Sequence, residues 1–254
     1  MASRIASLLA APALSVVAVT VVTAVTLAPR LAHAAPPSPD LLNKLAAQAA
    51  QLEATEQRTS FLVEGKLESV DSAGNVDDVK EMQARVESDG KKQHVIVVRY
   101  LNAGKDETLD AQRKQNEHAE EEKAKSEEDR KKEHKLSIPF AASEQAKYVF
   151  DQVEADPSDP DRVRITFTPK EPTKETVEGS IWADAKTGRP YSTGFKLSKP
   201  GAFVDFVHIQ IELGAQTPLG PEVSRVTVDG AGGLLFIHKH FRGVANLHDY
   251  RVAP

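Results

Sequence analysis

The residues best suited to chemistry are histidines near the end of the chain: His238 and His240, His248 with Asp249 directly after it, and His208 further upstream. Two histidines at i,i+2 on a strand point to one face and can share a metal ion, with Asp249 as a further oxygen ligand. Lys239 and Arg242 crowd the same place with positive charge, and histidines alternating with Ile237 and Phe241 are also what the polar outer face of a strand shows. Other catalytic patterns are missing. The carboxylates of residues 106–133 stand in i,i+4 register with basic residues, which makes them a solvated surface rather than an acid and base pair. Asp229-Gly230-Ala231-Gly232-Gly233 falls between two strand-like runs and reads as a turn, not a phosphate cradle. No serine occupies a nucleophile elbow. The absence of cysteine rules out disulfides, thiolate zinc sites and a thiol nucleophile. A protein without enzymatic activity and without a cofactor is the expectation.

The elements that position these residues follow from hydrophobic period. Leu41, Leu42, Leu45, Ala49 and Leu52 form one stripe at helical spacing behind Asp40, which can cap the helix. From Phe61 the period becomes two, and residues 61–67, 82–86 and 95–101 read as strands of an antiparallel sheet. Residues 104–135 interrupt it. They are dominated by charge, with Leu109 the one sizeable apolar side chain. Pairs such as Glu121 with Lys125 and Glu127 with Lys131 predict a solvated helical insertion, or an arm for a partner protein. Strands then resume over 148–153, 162–167, 176–183, 191–198, 204–213, 223–228, 234–241 and 247–252, joined by turn-rich loops. About eleven antiparallel strands in one open sheet are expected to curl. Trp182, the single tryptophan, reads as an anchor of the fold.

Apolar side chains concentrate on one face of that sheet: Val163, Ile165 and Phe167, Val177 and Ile181, Tyr191, Phe195 and Leu197, Ile209 and Ile211, Leu235 and Ile237. One helix is small cover for so wide a face. A curled sheet would leave an apolar concavity suited to an acyl chain, unless the same side chains pack on one another.

The first 34 residues have the order of an export signal. Arg4 is followed by an uncharged stretch over 5–28, then by Ala32-His33-Ala34. About 24 apolar residues also suffice to span a bilayer, so an uncleaved membrane tether is the alternative. Either way residues 35–40 read as a linker and 41–254 as one domain outside the cytoplasm. With no cysteine to acylate, the chain is not itself a lipoprotein. The net charge of −5 becomes −7 once Arg4 and Arg30 are removed, which argues against nucleic acid as a partner.

The layout of a leading amphipathic helix, three strands, a helical interruption and a long antiparallel run resembles the half-barrel superfamily of outer-membrane lipoprotein carriers and sorting proteins (LolA/LolB-like). Residues 179–190, Gly-Ser-Ile-Trp-Ala-Asp-Ala-Lys-Thr-Gly-Arg-Pro, carry the local likeness: a strand with tryptophan, an acidic Thr-Gly turn, then proline and a new strand. The terminal stretch from Phe236 to Val252 resembles their closing strands. The resemblance implies a periplasmic protein whose concave groove takes lipid or lipoprotein acyl chains, or a relative that senses envelope stress.

Overall fold

In the computed structural model, residues 36–56, 58–71, 74–90, 93–124, 138–234 and 237–253 are described. The leader, and the charge pairs expected beyond Ala124, lie outside them. Helix α1 spans Pro39–Glu56. Its cap is Ser38, not Asp40: the Leu41 amide donates to the Ser38 Oγ at 3.2 Å. Pro39, which has no N–H to satisfy, takes the first helical position, and Asp40 falls in the first turn, where its charge favours the helix dipole.

Four strands follow: β1 (Thr59–Val70), β2 (Val76–Ser88), β3 (Gln93–Asn102) and the two-residue β4 (Lys105–Asp106). Helix α2 (Thr108–Ala124) follows and lies beside β3. After a turn ending in the 3-10 segment Gln145–Lys147, the chain runs β5 (Tyr148–Asp156), β6 (Asp159–Pro169), β7 (Val177–Asp184), β8 (Pro190–Leu197) and β9 (Val204–Glu212). A separate small hairpin, β10 (Ala215–Thr217) and β11 (Gly220–Glu222), precedes β12 (Arg225–Leu234) and β13 (Ile237–Val252). Eleven of these strands form one antiparallel sheet in the order β4-β3-β2-β1-β13-β12-β9-β8-β7-β6-β5. The sheet does not close on itself. The fold is mainly β, an open half-barrel, with α1 across its inner face. No helix among the described residues is long and apolar enough to cross a membrane.

The glycine-rich turn expected at 229–233 is not a turn. Those residues lie inside β12, which pairs with β13 as far as Leu234 opposite Ile237, so the three short strands expected over 223–252 are two long ones. The reason lies at Gly230, which pairs with Phe241 across the ladder. A Cβ there would meet the Phe241 ring at 2.4 Å, so glycine makes room for a cross-strand aromatic. Tyr191 also departs from expectation. Its neighbours Pro190 and Ser192 pair with Ala183 and Trp182, and the extra residue between them turns Tyr191 to the convex side.

Candidate functional site

The inner face is where the sequence places its binding residues, and most of them meet there. Val163, Ile165, Phe167, Ile181, Phe195, Ile209 and Ile211 are all buried in one cluster with Leu41 and Leu45 of α1, and Leu197 packs against its margin. Leu235 lies outside the described residues, as does the side chain of Ile237. Sequence periodicity does not reveal the plug of this cluster. Phe140, from the turn before β5, stacks edge-on against Phe167 with centroids 5.4 Å apart and lies as close to Phe150. Phe140 follows a proline in a short segment between elements, so no period marks it. The face is thus filled by α1 and Phe140 in this conformation.

Rim loops hold α1. Gln145 donates to the Leu42 carbonyl at 2.9 Å, and Gln51 of the helix donates to the Leu219 carbonyl at 2.8 Å in the β10–β11 hairpin. The third hold is steric. The turn after β7 brings Gly188, at φ +70°, so close that a Cβ would lie 2.6 Å from the Lys44 Cβ and under 3 Å from the α1 backbone. Asp184 builds that turn, accepting from the Thr187 amide at 2.7 Å, the Thr187 hydroxyl at 2.9 Å and the Lys186 amide at 2.9 Å. The Thr187 amide bond, ahead of the other contacts, holds the Asp184 carboxyl below the ordinary aspartate range. A carboxyl depressed in the folded state contributes stability above its unfolded value of about 3.9, lost as pH falls through the folded value. Asp184→Asn is therefore expected to flatten the fall of melting temperature below about pH 4, read by calorimetry; an unchanged slope would remove this role.

At the far end of the helix Tyr250 packs on Phe61, with centroids 5.1 Å apart, and donates its hydroxyl to the Val223 carbonyl at 2.5 Å. Burial, and then the charge of the neighbouring buried Glu222, push this phenol well above its usual range. Tyr250 reaches inward because Asp249, at φ +55°, takes up a bulge where β13 slips past β1.

Two clefts stand apart from this cluster. One, of about 720 Å3, lies at the rim between Glu53 of α1, the 138–147 turn and the β6–β7 loop, with Lys147, Lys170 and Glu171 on its walls. The other, of about 240 Å3, lies along β1, β2 and β3 and is lined by Glu64, Lys66, Glu81, Gln83 and Arg99 among others. Neither is lined by the apolar residues named above.

The convex face carries the polar groups. His240 pairs with Val70 and His248 with Leu62, eight residues apart along β1, or about 26 Å at the rise of a strand. His248 and Asp249 are therefore too distant to join His240 at one ion. His240 instead bonds Asp229, with Nε2 and Oδ1 2.5 Å apart, and Asp229 faces His208 across the β9–β12 ladder. The side chain of His238 lies outside the described residues, and among the described residues no three metal-ligating side chains converge. Trp182 also faces outward, between the guanidinium groups of Arg162 at 5.3 Å and Arg164 at 5.9 Å from its ring centroid. Arg162 continues the stack onto Tyr191 at 5.0 Å. The tryptophan thus ties neighbouring strands from outside rather than from the core.

No family model and no curated protein matches the sequence. Among solved structures, the chain is similar to a DUF1329 family protein from Desulfovibrio piger, at 9% identity over 85% of this chain and 93% of that one, with a TM-score of 0.38. It is similar to a LolA superfamily protein from Nitrosomonas europaea at 11% identity, over 81% of this chain and 93% of that one, with a TM-score of 0.31. A MucA/MucB complex from Pseudomonas aeruginosa is similar at 12% identity, over 85% of this chain and 100% of that one, with a TM-score of 0.24.

Proposed function

We propose that this is an exported, non-enzymatic binding protein whose half-barrel takes an acyl chain, of a lipid or a lipoprotein, onto its inner face when α1 lifts. One observation carries the reading: an apolar face drawn from many strands is closed by a single helix whose polar ties run to rim loops. The energies are balanced. Re-exposing Leu41 and Leu45 costs about 1.5–3 kcal/mol each, and the two glutamine hydrogen bonds add about 0.5–1.5 kcal/mol each. An acyl chain of about ten methylenes gains on the order of 8 kcal/mol at about 0.8 kcal/mol per CH2. Such a near exchange permits both loading and release. The export signal read in residues 1–34 supports delivery to a compartment bordered by membranes, with 41–254 as the binding domain.

The absence of native cysteine makes the test clean. Cysteines introduced at Gln51 and Leu219 and bridged by a short reducible cross-linker would pin α1 shut. Native mass spectrometry of the unlocked protein after incubation with phospholipid vesicles is expected to show bound lipid, at least ten-fold less in the locked form, and recovery on reduction. No lipid adduct in the unlocked protein, or equal loading in the locked one, overturns the proposal.

A further inference from the structure

The charged helix does something its composition conceals. Strand β3 lies at the margin of the sheet, with only the two-residue β4 beyond one end, so a stretch of its outer backbone has no strand beside it. Side chains of the α2 segment occupy those positions. Gln115 donates to the Val95 carbonyl and accepts from the Val97 amide at 3.3 Å, and Gln112 donates to the Val97 carbonyl at 2.8 Å. The Thr108 hydroxyl accepts from the Tyr100 amide at 2.9 Å, while the Glu107 amide donates to the Tyr100 carbonyl at 3.0 Å. These groups supply donors and acceptors of the kind a neighbouring strand would offer. The helix brings almost no apolar packing with them. None of residues 108–120 is buried, and Leu109 is 81% exposed.

We propose that the outer edge of β3 is a strand-addition site covered by α2, and that its occupant is an extended segment of a partner protein in which every second residue, on the side of Ile96 and Arg99, is β-branched or acidic. The chemistry of the occupant is legible in what surrounds the edge. Ile96 is 44% exposed and Val98 50%, a surface that β-branched side chains of an added strand would cover. Arg85 and Arg99 are exposed on the same side. The residue pair leading into the cover supplies an acid there: Asp106 of β4, its carboxyl lowered first by hydrogen bonds from Thr108 and in smaller part by Arg99. The site lies at the margin of the sheet, away from the inner face, so its fate and that of acyl binding are separable.

Two measurements test it. In the wild-type protein, the Val97 and Tyr100 amides are expected to exchange with solvent at least 100-fold faster than amides of β1 and β2, because α2 undocks without unfolding the sheet; equal protection overturns the proposal. In the second, Gln112→Ala/Gln115→Ala is expected to bind the synthetic peptide acetyl-(Val-Thr-Glu-Thr)2-amide, which carries valine and glutamate on one face, at least ten-fold more tightly than wild type. A peptide N-methylated at every residue, which has no amide N–H left for a ladder on either edge, is expected not to bind. No gain in the double variant, or equal binding of the N-methylated peptide, overturns the proposal. Should the double variant fail to fold, the exchange experiment on the wild-type chain decides alone.

Discussion

Phe167→Ala is expected to lower the melting temperature by about 6–20 °C. The side chain is 1% exposed at the centre of the inner cluster. It meets Phe140 at 5.4 Å and Tyr148 at 6.4 Å between ring centroids, both edge-on. A buried phenylalanine cut back to alanine costs about 3–5 kcal/mol, because rings held by β5 and by the Phe140 turn do not collapse fully into the void. For a domain of this size each kcal/mol corresponds to about 2–4 °C. Differential scanning calorimetry reads the shift directly. A loss below about 1 kcal/mol would mean that the Phe140 turn is mobile enough to fill the gap, and that the inner face is less tightly closed than its packing indicates.

Gly188→Val is expected to release α1 while leaving the sheet intact. Valine brings two penalties. It is a β-branched residue at φ +70°, where L side chains are strained, and its Cβ would press on the α1 backbone around Lys44 and Leu45. Overpacking of that kind costs about 1–3 kcal/mol and left-handed strain a further 1–2 kcal/mol or so, comparable with the gain from docking the two leucines. The expected outcome is loss of amide protection in residues 39–56 with little change in β6 and β7, binding of an apolar dye, and faster uptake of lipid from vesicles. If amide protection in α1 is unchanged, the turn at 184–188 is not what holds the cover.

What the sequence discloses depends on whether a force acts through period or through a single contact. Strands such as β6 and β7 are legible because burial alternates along them, with Val163, Ile165 and Phe167 inward and Arg162, Arg164 and Thr166 outward. The apolar stripe of α1 is legible for the same reason. Gly230 misleads because glycine frees the backbone for a turn and also vacates space for a ring, and only the register with Phe241 distinguishes the two uses. Tyr191 misleads because one extra residue in β8 inverts its side, and no local pattern announces a bulge. The docking of α2 leaves no apolar trace at all. Gln112 and Gln115 read as ordinary polar helix residues until the β3 backbone is beside them. The candidate site follows the same division: Val163, Ile165, Phe167, Ile181, Phe195, Ile209 and Ile211 are legible as members of one apolar face, whereas Phe140 and the rim loops that close it come from long-range contacts.

The pairing of β1 with β13 joins Thr59 to Val252, almost the two ends of the domain, at a seam in the middle of the sheet. Strands β1 to β4 therefore cannot be joined to the larger half until the last strand is present. The ordering cost of that closure comes late, and topologies dominated by such distant contacts assemble slowly. The sheet stays incomplete until its last strand is made, and the cluster under α1, which draws on Ala245 and Leu247, is finished only when β13 arrives.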